Sequence, residues 1–140
     1  MILLNVPNAG DMENNIDVIF DTNALIYIVA GKEKYVHLLD TLGFAGISIL
    51  SSMELSIGAK TVEEESSITS LLLDIEIIPL TQEIGLAAVA SLRKRGKNSI
   101  RVPQLADTII AHTALSLGVP LVTNNPKDFE AFEGLKLIVP

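Results

Sequence analysis

Three carboxylates and one polar loop stand out by where they fall in the chain. Asp21 directly follows the apolar run Val18-Ile19-Phe20, and Glu54 comes shortly after the run Gly46 to Leu50. Asn124, Asn125 and Asp128 follow Leu121-Val122-Thr123, and Asp107 lies near the start of the helical stretch leading into that run. If these runs are strands of one parallel sheet, all four segments reach the edge where open α/β sheets bind ligands, outside the carboxyl ends of the strands. Carboxylates gathered without an opposing Lys or Arg repel one another, and persist as anions where a cation neutralises them. Hard oxygen donors select Mg2+ or Mn2+. Such an ion acidifies a water, holds a phosphodiester oxygen and neutralises transition-state charge, and a second ion about 3.5–4 Å away would act on the leaving oxygen. Each acid also has a plain structural role open to it. Asp21 with Thr22 and Asn23 can cap a helix, as can Ser51, Ser52 and Glu54, and Asp107 suits a helix N-terminus. That reading weakens when three acids from separate segments meet at one edge.

The elements that must position them follow from hydrophobic period and punctuation. Short apolar runs predict strands at 18–20, 46–50, 75–80, 120–122 and 136–139. Helical spacing predicts helices over 23–30, 33–42, 51–59, 61–73, 81–95 and 104–117, several of them closed by glycine (Gly31, Gly43, Gly96, Gly118). Thr61 with Glu64 three residues later resembles a capping box. Strands alternate with helices throughout, which predicts a three-layer α/β/α fold around a central parallel sheet of about five strands. The strands read as continuous apolar runs, as strands buried on both faces do. Residues 1–16 read as an N-terminal extension ahead of a single domain over 17–140.

Composition narrows the classes. The chain has 140 residues, enough for one domain with a real core. Ten basic against seventeen acidic residues leave a formal charge of −7, which argues against nucleic-acid binding by bulk charge. With no cysteine, disulfides, thiolate nucleophiles and cysteine zinc sites are excluded. Met1 to Pro7 lacks the basic start of a signal peptide, and no apolar stretch approaches the roughly 20 residues of a membrane span. A cytoplasmic protein with no membrane partner is expected.

Four segments then carry a family resemblance. Phe20-Asp21-Thr22-Asn23-Ala24-Leu25-Ile26 resembles the opening of PIN-domain nucleases. Ser52-Met53-Glu54-Leu55 matches their second acidic segment and Leu105-Ala106-Asp107-Thr108-Ile109-Ile110-Ala111 their third. Leu121-Val122-Thr123-Asn124-Asn125-Pro126-Lys127-Asp128-Phe129 resembles their last motif. Within the family the chain looks most like the VapC-type toxins of toxin–antitoxin pairs. The resemblance implies a Mg2+- or Mn2+-dependent ribonuclease with Asp21, Glu54 and Asp107 as metal-binding acids. It also implies an RNA substrate, a cognate antitoxin protein and a homodimer. Many members place a fourth acid where this chain has Asn125. As a catalytic residue Asn125 offers a carbonyl oxygen or positions a water but adds no charge, so either a second ion does not bind or Asp128, three residues on, helps to hold the metal. Asn23 and Thr123 resemble polar supports that orient the acids.

Arg93-Lys94-Arg95, with Lys97 and Arg101, places five of the ten basic residues within nine positions. This reads either as an RNA-backbone contact or as a solvated helix end matched to the dipole. Glu63-Glu64-Glu65 reads as a solvated face, His112 as packed on a neighbour, Tyr27 and Tyr35 as core or dimer packing or else as rings that stack on a base, and Ile26, Ile28 and Val29 as core or dimer face. Three functions compete: the metal-dependent endoribonuclease, a catalytically silent PIN-like protein-binding module, and phosphoaspartate chemistry at Asp21. The last lacks the second aspartate at position 23 that the phosphatase pattern requires. Charge reversal of Arg93 and Arg95 is expected to weaken RNA binding without unfolding the chain. Unchanged binding in low salt would show the cluster to be only a helix end.

Overall fold

The computed structural model describes residues 15–95 and 102–140. Residues 1–14 of the expected extension, and Lys97 and Arg101 of the basic cluster, lie outside these. The described elements are β1 (Val18–Phe20), α1 (Thr22–Val29), α2 (Glu33–Thr41), β2 (Ala45–Ser48), α3 (Ile49–Gly58), α4 (Val62–Asp74), β3 (Glu76–Ile78), α5 (Gln82–Arg95), α6 (Val102–Leu117), β4 (Leu121–Val122) and β5 (Leu137–Ile138). A short 3-10 turn, Pro126–Asp128, sits between β4 and β5.

The five strands pair in the order β3-β2-β1-β4-β5, and every pairing is parallel. Alternating side chains split β1 and β4 between two cores. Val18, Phe20 and Val122 face a cluster with Ala24, Leu25, Tyr35, Leu55 and Ile68, contributed by α1 to α4. Ile19 and Leu121 face the opposite cluster with Ile110, Ala111 and Ala114 of α6 and with Phe129 and Phe132. Helix α5 packs on α6 through Ile84, Ala88 and Ile109. The expected three-layer fold is thus the observed one. No helix among the described residues is long and apolar enough to cross a membrane.

One boundary differs in a way that matters for the site. The run 46–50 reads as a strand to its end, yet the strand stops at Ser48 and Ile49 opens a helix. Ser48 causes the switch: it keeps an extended backbone while its hydroxyl accepts the Leu50 N–H at 3.2 Å. Glu54 therefore sits in the second turn of α3, whereas a helix over 51–59 would place it in the first. The expected cap at Thr61 forms, with the hydroxyl accepting Glu64 N–H at 3.1 Å. Glu64 Oε2 reaches past it to accept the Lys60 N–H at 2.8 Å.

Between α2 and β2 the chain turns through Gly43 at φ +92°, a region L side chains avoid. A Cβ there would run into the Asp17 carboxylate, whose Oδ2 accepts the Phe44 N–H at 2.8 Å. Gly85 in α5 has open space where a Cβ would stand. Gly43→Ala is expected to lower unfolding stability by at least about 1 kcal/mol. Gly85→Ala is expected to raise it by about 0.5–1 kcal/mol. Denaturant midpoints check both, and a neutral Gly43→Ala would contradict this account of the turn.

Candidate active site

Strand order reverses at β1: β2 and β3 lie on one side of it, β4 and β5 on the other. A crevice opens at such a switch point, outside the carboxyl ends of β1 and β4. Asp21 follows β1 there, with its N–H donated to Val122 O at 3.0 Å. It is the N-cap of α1, extended at φ −77°, ψ 170°, and only 4% exposed. Both carboxylate oxygens are engaged. Oδ1 accepts the Ala24 N–H at 2.7 Å, and Oδ2 accepts the Thr123 hydroxyl at 2.6 Å. Capping and site-building are thus one arrangement, since the cap fixes the carboxylate.

A cavity of about 200 Å³ is lined by Asp21, Thr22, Asn23, Ile26, Glu54, Asp107, Ile110, Asp128 and Phe129. Four carboxylates from four segments thus face one space, and among the described residues no lysine or arginine lines it. Glu54 Oε1 accepts the Thr22 hydroxyl at 3.0 Å, and that hydroxyl is also 3.0 Å from Ser51 Oγ. Asp107 reaches the cavity from α6, and Asp128 from the 3-10 turn.

The charges register on one another. Burial, and then the carboxylates of Asp128, Asp21 and Glu54, push the Asp107 pKa up to about 6, against a small lowering from Arg95. Burial also raises Asp21 above the ordinary carboxylate range, although its bonds from Thr123 and Ala24 favour the anion. Among the described residues no three carboxylates or imidazoles stand close enough to enclose one ion. The donor set nevertheless fits a hard divalent cation: four carboxylates, all oxygen ligands, with no base among the described lining residues.

The other sequence candidates fall in different places. Asn125 does not line the cavity. It is exposed, and its contribution is a backbone N–H donated to Thr123 Oγ1 at 3.0 Å. Asp128, three residues on, supplies the fourth carboxylate there. Asn23 lines the cavity, but among the described residues no hydrogen bond joins it to an acid, and Thr22 supports Glu54 instead. Thr123 is fully buried and bonded to Asp21. Arg93, Lys94 and Arg95 are exposed in the last turn of α5, and the Arg95 guanidinium lies 4.8 Å over the Phe132 ring. His112 packs edge-on against Phe132 and bonds Ser91 through Nε2 at 2.5 Å, away from the cavity lining. From the sequence Thr22 and Ser51 read only as helix-capping residues, because their link to Glu54 depends on a contact between α1 and α3 that no local motif marks.

The PIN domain family matches residues 18–135, and the chain belongs to that family. Solved structures agree. The chain is similar, at 31% identity and a TM-score of 0.71, to a chain of a toxin–antitoxin complex from Klebsiella pneumoniae, covering 87% of this chain and 96% of that one. It is also similar to a chain of VapBC2 from Rickettsia felis, solved bound to a DNA fragment from its promoter, at 25% identity and a TM-score of 0.75 over 89% and 99%. A chain of DNA-bound VapBC from Salmonella typhimurium shares the fold at 24% identity, with a TM-score of 0.68 over 89% and 98%. No curated protein sequence matches the chain closely enough to count as a relative.

Because the folded pKa of Asp107 lies above its ordinary 3.8, its contribution to stability is fully present below about pH 3.8 and is lost as pH rises through about 6. In metal-free protein at pH 7.5 the ionised group therefore opposes folding. Asp107→Asn is expected to raise the metal-free melting temperature at pH 7.5 and to shrink its fall between pH 5 and 7.5. Thermal unfolding in EDTA checks this, and a lower melting temperature in the variant at pH 7.5 would contradict it.

Proposed function

We propose that this chain is a divalent-metal-dependent endoribonuclease hydrolysing RNA phosphodiester bonds, and that it is the toxin of a VapC-type toxin–antitoxin pair. The observation that carries the reading is the meeting of Asp21, Glu54, Asp107 and Asp128 around one cavity with no basic residue among the described residues of its lining. Membership of the PIN domain family supports it, as does similarity to the toxin–antitoxin complex from Klebsiella pneumoniae.

Asp21, Glu54 and Asp107 would hold Mg2+ or Mn2+, with Asp128 as the fourth carboxylate. Bound there, the ion supplies Lewis acidity and positive charge to the phosphodiester and to the attacking water. The protein's own part is orientation. The Ala24 N–H and the Thr123 hydroxyl fix both oxygens of Asp21, and the Thr22 hydroxyl fixes one oxygen of Glu54. Asp107, whose pKa burial and the neighbouring carboxylates raise, would gain from a nearby positive charge. Arg93, Lys94 and Arg95 give an otherwise acidic protein a local surface for the RNA backbone, as positioning contacts to phosphate. Arg95 is held over Phe132, which in turn packs on Phe129 of the cavity wall.

A cognate antitoxin would neutralise the acidic cleft with a basic side chain. Ile26, 47% exposed at the cavity rim, is an apolar contact for a protein partner or a second copy. With its RNA substrate, the protein would act in the cytoplasm.

Asp21→Asn keeps a good helix cap while removing the charge. It is expected to slow cleavage of a mixed-sequence RNA by more than about 100-fold, with the far-ultraviolet dichroism unchanged. Excess EDTA should abolish cleavage by the wild type. Full activity under either condition would overturn the proposal.

A further inference from the structure

The loop after β4 is tied down from a direction the catalytic reading does not use. Tyr35 of α2, 7% exposed, donates its hydroxyl proton to Asn124 Oδ1 at 2.7 Å. Asn124 Nδ2 donates in turn to the Tyr27 hydroxyl at 3.3 Å. The two rings stack with centroids 4.9 Å apart and planes at 28°. An exposed asparagine is thus gripped by two phenols on adjacent helices, one of them buried. For packing alone a phenylalanine at position 35 would serve. A buried hydroxyl is retained without cost only where it finds a partner.

What Asn124 separates gives the grip its meaning. Thr123, on one side, sends its hydroxyl proton to Asp21 Oδ2 at 2.6 Å. Asn125, on the other, donates its N–H to Thr123 Oγ1 at 3.0 Å. A hydroxyl has one proton and two lone pairs. With the Asn125 N–H on one lone pair, the Thr123 proton is directed onto Asp21. That geometry holds only while the backbone from 123 to 125 is fixed; the Thr123 N–H bonds Ile138 O and the Asp128 N–H bonds Asn125 O, each at 3.1 Å, and between these the Asn124 side chain ties the loop to α1 and α2.

We propose that Tyr35 and Asn124, with Tyr27, form a clamp on the loop after β4, and that Tyr35 is thereby a positioning residue for Asp21. It acts through Asn124 and Thr123 and touches neither substrate nor ion. Its consequence for catalysis rests on the nuclease reading above; the clamp itself does not.

The test uses the full chain as wild type, Tyr35→Phe, Asn124→Ala and the double variant. Two readouts are taken: amide hydrogen exchange without metal, and Mn2+ affinity by titration calorimetry. Tyr35→Phe keeps the ring and removes the bond. It is expected to speed exchange of the Asn125 amide and to weaken Mn2+ binding by about 10-fold. Exchange of the Ile19 amide, in the central strand, should stay unchanged. Asn124→Ala should do the same, and the double variant should lose no more than the worse single one, because both changes break one connection.

Unchanged Asn125 exchange in Tyr35→Phe, or additive losses in the double variant, would overturn the clamp. Faster exchange with undiminished Mn2+ affinity would overturn its positioning role. If Tyr35→Phe also loosens Ile19, the exposed Asn124→Ala decides in its place. A wild type that neither binds Mn2+ nor cleaves RNA overturns the nuclease reading, and Asn125 exchange then still decides the clamp.

Discussion

The structure turns on one buried carboxylate. Asp21 has almost no contact with water, yet its two hydrogen bonds both favour the charged form. Burial opposes that charge, and so do Glu54 and Asp128. An anion in such a place is tolerated when its oxygens are satisfied and something positive is available to it. The Ala24 N–H and the Thr123 hydroxyl supply the first condition. The second is what a divalent cation would provide. The same carboxylate starts α1, so the geometry that begins the helix also aims the acid.

The remaining architecture serves that placement. Parallel strands bring β1 and β4 side by side with their carboxyl ends together, so Asp21 and Thr123 meet although 102 residues separate them. Ser48 ends β2 early and turns the chain into α3, which carries Glu54 back toward the same cavity. The α6 helix, packed on the opposite face of the sheet, contributes Asp107. Each element is held by its own apolar face, and the acids are gathered by the cores beneath them. Burial and the neighbouring carboxylates raise the pKa of Asp21 and Asp107, so the ionised groups oppose folding, and other side chains at these positions would cost less.

Much of this was legible in the chain itself, and the reasons are physical. Apolar runs without period, closed by Gly or a polar residue, mark strands buried on both faces; Asp21 follows one directly, Glu54 and Asp128 come a few residues after two others, and Asp107 lies in the helix leading into β4. Asp21, Glu54, Asp107 and Asp128 could therefore be read as neighbours. Ile49 and Leu50 misread as strand because their apolarity serves a helix as well, and only the Ser48 cap decides between the two. Asn125 sits where related sequences carry an acid, but its side chain stays off the cavity while its backbone serves Thr123. The pairing of Tyr35 with Asn124 spans 89 residues and leaves no local pattern. Hydrogen bonds of this kind belong to the tertiary fold, and periodicity is silent about them.

The central claim is that acids from four segments share one cation, with Asp21 as the fixed member. Calorimetric titration of Mn2+ into metal-free wild type and Asp21→Asn tests it most directly. The account predicts a saturable heat in the wild type that disappears in Asp21→Asn while the fold is retained. Equal heats in the two proteins, or none in the wild type, would contradict it.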